Sequence, residues 1–198
     1  MIAVLEKLVN KYIGVIIIDD GKHTLYGSTW TKKTGECHIG LTGIISFTKW
    51  NISEERAFMN CRMLKYITGV CPILGVDMSY MFCWASNFNQ PLNDWDVSSV
   101  TNMKCMFWQA SSFNQPLDDW DVSLVTNMRH MFYKASNFNQ PLNDWDVSSV
   151  TDMESMFRVA SNFNQPLDDW DVSSVTYMRW MFEWTKMSKI SQLPEWLH

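Results

Sequence analysis

Residues 85–109 read ASNFNQPLNDWDVSSVTNMKCMFWQ, and the same 25-residue sentence returns at 110–134, 135–159 and 160–184 with few changes. Self-similarity at a fixed period of this length marks a solenoid, in which each unit is one coil stacked on the last. The invariant apolar positions are Phe88, Leu92, Trp95, Val97, Val100, Met103, Met106 and Phe107, each recurring every 25 residues. A lone coil buries too little to offset the entropy of ordering its backbone, so contacts between neighbouring coils must supply the difference. Met103, Met106, Phe107 and Ala110 follow the i, i+3, i+4, i+7 spacing, which predicts a short helix over 101–110. Phe88 to Leu92 alternates as a strand does, but Pro91 removes a ladder donor and keeps it short. The coils contain no glycine, so their corners fall to Asn, Asp and Ser.

Working outward, all eight glycines lie at or before Gly75 and all six prolines at or after Pro72, which divides the chain near residues 70–76. Residues 1–70 read as a small α+β segment that caps the first coil. A helical stripe runs through Ile2, Leu5, Leu8, Val9 and Tyr12, and a hairpin turns at Asp20-Gly21. A further strand lies in HIGLTGIISF, and a second helix runs from the N-cap Ser53 to Gly69. Residues 71–198 form the repeat region. A partial coil at 71–82 carries Met78, Met81 and Phe82 in register, the four full units follow, and 185–198 forms a cap. Within that cap, Leu193-Pro194-Glu195-Trp196 echoes Pro-Leu-x-x-Trp displaced by about one residue. Trp50-Asn51-Ile52-Ser53 echoes Trp-Asp-Val-Ser out of register.

At FNQPLxxWDVSxVTxMxxMF the chain resembles the repeat, roughly 25 residues long, of bacterial surface proteins and mycoplasma lipoproteins. That repeat is related to the BspA-like leucine-rich repeats and occurs also in large DNA viruses and some protists. The likeness spans residues 76–182. It implies a leucine-rich-repeat-like solenoid, attachment to surfaces or host proteins in bacterial members, and no catalytic residues. Typical members carry a Ser-Gly-like pair between the methionines and a glycine after the Phe, where this chain has Lys104-Cys105 and Gln109. The expected fold is therefore an α+β repeat protein: a right-handed, leucine-rich-repeat-like solenoid with a small α+β N-terminal cap.

Charge and composition narrow the function. Residues 1–75 carry nine basic against six acidic residues, and residues 76–198 carry seven against fifteen. An acidic solenoid is a poor match to nucleic acid, whose binding depends on clustered basic residues. The N-terminus has no basic leader, and its longest apolar run, Ile13–Ile18, is too short to span a bilayer. The expectation is an intracellular or virion-associated protein, with the cell surface as the alternative and no membrane insertion. Cys37, Cys61, Cys71, Cys83 and Cys105 form no CxxC pair, consistent with free thiols in a reducing compartment. His23, His38, His130 and His198 show no ligand spacing with them, and P-loop, nucleophile-elbow and GxGxxG motifs are missing. Neither enzyme activity nor a cofactor is expected.

The units differ most at 104, 105, 108 and 109 and their equivalents, the helix face opposite the Met/Phe stripe. Those positions predict one exposed column containing Tyr80, Trp84, Lys104, Trp108, Arg129 and His130. Farther along it come Tyr133, Lys134, Arg158, Arg179, Trp180 and Trp184. Trp, Tyr and Arg are the residue types of protein-binding hot spots. The column therefore points to an unidentified protein partner. Self-assembly as a minor shell component and a surface adhesin stand as alternatives, and relaxed surface positions are the plainer reading. Asp94 and Asp96 recur as Asp119/Asp121, Asp144/Asp146 and Asp169/Asp171. Such acidic columns suggest calcium, or simply aspartates closing turns. Asn89 and Gln90 with their equivalents are expected to form amide ladders along the coil axis.

Overall fold

In each Met-rich run before the last, every peptide N–H has an acceptor, and the pattern explains why no helix forms there. The computed structural model describes residues 76–189 and 193–197, Arg62, and the backbone of six strands between residues 15 and 74. Within it, the N–H groups of Met78, Tyr80, Phe82 and Trp84 donate to the carbonyls of Asn102, Lys104, Met106 and Trp108 at 2.9, 2.8, 2.8 and 2.7 Å. The N–H groups between them turn back within the coil: Met81 to Met78, Cys83 to Tyr80 and Ala85 to Phe82. That alternation repeats down the stack, from Met103–Gln109 to the coil holding Asn127–Tyr133 and onward to Glu183. Parallel bridges link Asp77, Asn102, Asn127, Asp152 and Tyr177 in one row.

The helix expected over 101–110 is therefore a run of turns. A helix would satisfy all its N–H groups locally. Here half of them reach the next coil, and that requires the backbone to swing into the left-handed region twice per unit. Cys105 and Gln109 have φ of 57°, and so, within a few degrees, do Tyr80, Trp84, His130, Lys134, Ser155, Val159, Trp180 and Trp184. The two positions where the resembling family carries glycine are thus the two that need positive φ, and this chain fills them with side chains. Before each such run an Asx side chain helps. The Oδ1 atoms of Asp77, Asn102, Asn127 and Asp152 accept from the N–H two residues on, at 2.7–3.1 Å. The fifth coil has Tyr177 in this place, and it lies 57 % exposed.

Stacking places like on like. Phe82, Phe107, Phe132, Phe157 and Phe182 form one column with ring centroids 5.5, 5.5, 5.5 and 5.9 Å apart, their planes within 5° of parallel. Phe88, Phe113, Phe138 and Phe163 form a second column at 6.0, 6.0 and 6.1 Å. The columns touch within each coil, at 4.0 Å between Phe132 and Phe138. Leu92, Val97, Val100, Met103 and Met106 and their counterparts in the next two units close the core with almost no exposure. Buried aromatic rings in offset stacks supply both area and geometric preference.

Tryptophan fastens one coil to the one before it. The indole N–H of Trp120 donates to the Leu92 carbonyl at 2.9 Å, Trp145 to Leu117 at 2.9 Å and Trp170 to Leu142 at 2.8 Å. Trp196 makes the same bond to Leu167 at 2.8 Å, so the displaced Leu-Pro-Glu-Trp phrase occupies the place of a fifth unit's tryptophan. Trp145→Phe keeps a six-membered aromatic ring but removes the pyrrole half of the indole and leaves the buried Leu117 carbonyl without its donor. We expect a loss of about 1–3 kcal/mol, read as a lower urea midpoint. The side-chain ladders are laid as the sequence suggests. Asn114, Asn139 and Asn164 each donate their N–H to the Asn Oδ1 of the preceding coil, and Gln115 and Gln140 add side-chain donors to the same oxygens. The threonine hydroxyls of Thr101, Thr126 and Thr151 donate to the carbonyl of the residue 25 before them.

In the N-terminal region, β1 (Val15–Asp19) pairs antiparallel with β2 (Lys22–Tyr26), the hairpin expected around Asp20-Gly21. On the other side of β1, β3 (Gly43–Ser46) pairs in parallel, and β5 (Tyr66–Gly69) extends the sheet in the order β2-β1-β3-β5. Residues 66–69 were expected to end a helix. They form a strand instead, as their aromatic and β-branched Tyr-Ile-Thr sequence favours. The helices expected over 1–12 and from Ser53 up to residue 65 fall outside the described residues. The out-of-register Asn51-Ile52 phrase forms β4 (Asn51–Ile52), paired in parallel with β6 (Ile73–Leu74). After the last full unit come a four-residue helix α1 (Lys186–Lys189) and a 3-10 turn at Glu195–Leu197.

Candidate functional site

The turn geometry also decides what becomes of the variable positions. On a helix they would share one solvent face. In the observed turns they form four adjacent columns whose members stack between coils. Of the twelve predicted residues, Lys134, Arg179, Trp180 and Trp184 are exposed. Tyr80, Trp84, Lys104, Trp108, Arg129, His130, Tyr133 and Arg158 are half-buried, which corrects the expectation of a uniformly exposed column. Cys105 and Ser155 occupy the same columns and are fully buried. A spacing near 5 Å between coils makes each side chain the neighbour of its own equivalents, so variation there is partly mutual packing.

Two groupings result. Near the N-terminal end of the stack, the Trp84 and Trp108 rings lie 6.4 Å apart, and Trp108 meets Tyr133 at 5.5 Å and His130 at 5.7 Å. Lys104 lies over Tyr80 at 5.8 Å, Lys134 over Tyr133 at 5.4 Å and Arg62 over Trp84 at 5.4 Å. Near the C-terminal end, both Arg158 and Arg179 stack on Trp180, at 5.3 and 5.1 Å. Trp180 and Trp184 are 50 % and 60 % exposed. Such cation–π contacts hold the guanidinium and ammonium groups flat along the surface. Arg129 is paired with Glu154 at 3.0 Å and Arg158 with Glu183 at 2.6 Å.

Burial governs the chemistry of the columns. It pushes the Cys105 thiol up to about 11, so the sulfur stays protonated and unreactive at neutral pH. Burial, reinforced by Arg129, holds His130 below the ordinary imidazole range, so it is neutral at pH 7. The indole N–H of Trp108 and Nδ1 of His130 are both buried without a hydrogen-bond partner among the described residues.

The acidic columns take up turn bonds. Asp96, Asp121, Asp146 and Asp171 each accept the N–H of the serine two residues on, at 3.0–3.1 Å, and these serine bonds lower their carboxyl pKa values. Asp119 and Asp169 accept from the Asn93 and Asn143 side chains of the preceding coils. Among the described residues no three His, Cys, Asp or Glu side chains are grouped to hold a metal ion. Of the two readings of the acidic columns, turn closure is what Asp96, Asp121, Asp146 and Asp171 display.

Four residues outside the predicted set belong to the site. Arg62, Ser86, Gln109 and Ser111 line an open cavity with Trp84 and Lys134. Gln109 sits at a variable position and was legible in that sense. Arg62 lies outside the repeats, and only the fold brings it there, its carbonyl accepting from Asn87 at 2.6 Å.

No helix among the described residues is long and apolar enough to cross a membrane. No curated protein and no solved structure gives a significant match to the chain. Residues 74–123 and 117–196 do match the family described as "Mycoplasma protein of unknown function, DUF285". Those segments take in more than half of the chain, the stacked units and the aromatic columns with them, and the protein belongs to that family.

Proposed function

We propose that the chain is a right-handed, leucine-rich-repeat-like solenoid with a small α+β N-terminal cap, and that it works as a non-enzymatic binding or scaffolding protein. The observation that carries this reading is the aromatic and cationic strip along one side of the stack, from Trp84 through Trp108 and Tyr133 to Trp180 and Trp184. Large aromatic rings already held by neighbours lose little entropy on binding, and stacked cations add directional contacts. The strip recognises a protein partner, with no nucleic acid and no cofactor involved. Location inside a cell or in a virion, or display at a cell surface, fits this reading equally.

The test is capture by the full chain and by a Trp180→Ser, Trp184→Ser double variant with an unchanged melting midpoint, from lysate of the native source. We expect one or more proteins to be retained by the wild type and reduced at least tenfold by the variant. Equal retention on both baits would remove the strip from the account.

Self-assembly is favoured by one separate observation. In every earlier coil the alternate donors are matched, as in Met153, Ser155, Phe157 and Val159 bonding to the carbonyls of Tyr177, Arg179, Met181 and Glu183 at 2.8–3.0 Å. In the last coil the equivalent N–H groups of Met178, Trp180, Phe182 and Trp184 have no acceptor among the described residues. This stretch of the edge offers N–H donors, so stacking on it calls for a partner strand that supplies carbonyls. A mass that rises with concentration in sedimentation velocity is the expected sign of it.

A further inference from the structure

The cations of the strip are not all neutralised. Arg129 and Arg158 have glutamate partners, at 3.0 and 2.6 Å. Arg62 and Lys134 have no carboxylate within ion-pair reach among the described residues, and both line the cavity beside Trp84. Its remaining walls, Ser86, Gln109 and Ser111, are neutral and polar. The cavity encloses about 410 Å³ and is open to solvent. An aromatic wall flanked by two cations that have no carboxylate partner among the described residues, in a chain of net charge −5, is a local reversal of sign. It attracts anions where the rest of the repeat surface repels them.

The dimensions select among anions. Trp84, Gln109 and Lys134 are equivalent positions of three successive coils. At ~4.8 Å per coil the cavity runs about 10 Å along the stack axis. A single phosphate or sulfate is too short to meet both ends. An extended peptide advances ~3.3 Å per residue, so carboxylates about two to three residues apart match the span. The side-chain amide of Gln109 and the hydroxyl of Ser86 suit the peptide backbone between them, while the Ser111 hydroxyl donates to the Ser86 carbonyl.

We infer that the Arg62–Trp84–Lys134 cavity binds an extended, acidic segment of a partner protein, with closely spaced carboxylates meeting Arg62 and Lys134. This rests on the binding reading above and supplies its partner's chemistry. Arg62 comes from the N-terminal region, so that region is part of the recognition site as well as a cap.

The experiment titrates the full chain with N-acetylated hexaglutamate amide in low-salt buffer, by calorimetry and by the shift of the Trp84 indole N–H signal. Hexalysine and sodium sulfate are titrated in parallel. The expected result is saturable binding of hexaglutamate, weakened at least tenfold by Lys134→Gln and by Arg62→Gln, both with melting midpoints equal to wild type. Lys186→Gln, which removes an exposed cation outside both the cavity and the strip, should leave the affinity within twofold. Three outcomes overturn the inference: no saturable binding by wild type, an equal loss in Lys186→Gln, or sulfate shifting the Trp84 signal at the same molarity as the peptide. If hexaglutamate fails while wild-type capture still depends on Trp180 and Trp184, the acidic-segment assignment falls and the binding function stands. If both fail, the strip itself is plain surface.

Discussion

Phe132→Ala is expected to cost the protein about 3–5 kcal/mol, the largest loss we anticipate from a single truncation. Phe132 is fully buried in the middle of the first aromatic column. It lies 5.5 Å from both Phe107 and Phe157 and 4.0 Å from Phe138. Its removal opens a cavity that neighbours cannot fill, because the Met-rich run is pinned to the coil on either side by four backbone hydrogen bonds. Phe132→Leu keeps most of the volume and should cost about 1 kcal/mol. Urea denaturation followed by tryptophan fluorescence gives both values. A loss under about 1 kcal/mol for the alanine variant would mean that the column relaxes freely, contrary to the register seen here.

Ser155→Gly should act in the opposite direction, raising stability by about 2 kcal/mol. Two costs meet at this residue. Its φ of 55° places a Cβ where only glycine sits without steric penalty, worth ~1–2 kcal/mol. Its hydroxyl is fully buried and has no hydrogen-bond partner among the described residues, which adds ~1–3 kcal/mol. Against these stands the extra chain entropy glycine brings to the unfolded state, ~0.5–1 kcal/mol. Ser155→Ala separates the terms, since it removes the hydroxyl and keeps the Cβ. It should gain less than glycine does. Thermal and urea unfolding of the three proteins decides it, and a glycine variant no more stable than wild type would refute the strain argument. Val159, a β-branched residue at φ 62°, is the next position where the same reasoning applies.

Much of the repeat architecture was legible because repetition removes ambiguity. Phe88, Leu92, Trp95, Val97, Val100, Met103, Met106 and Phe107 are invariant among the units, and all eight prove buried. The partial units were readable for the same reason: Met78, Met81 and Phe82 are in register, and Trp196 is one residue out of it and still reaches Leu167. The helix over 101–110 was misread because i, i+3, i+4, i+7 spacing reports which side chains face inward and says nothing about where the peptide N–H groups go. Turns closed by i+3 bonds bury the same stripe. The missing glycines concealed the left-handed positions further, since Cys105, Gln109 and Val159 give no local sign of positive φ.

The candidate site divides along the same line. That Trp108, Tyr133, Arg158 and Trp180 would share one side of the stack followed from their 25-residue register alone, because the period fixes the face. Which of them meet solvent, which cations are neutralised and where Arg62 arrives did not follow. Those depend on distances between coils. The ~5 Å rise brings Glu154 to Arg129 and Glu183 to Arg158, and leaves Lys134 beside a cavity with no acid in it. A repeat sequence determines what stacks on what; the hydrogen bonds that close the stack determine how tightly, and therefore which charges remain for a partner.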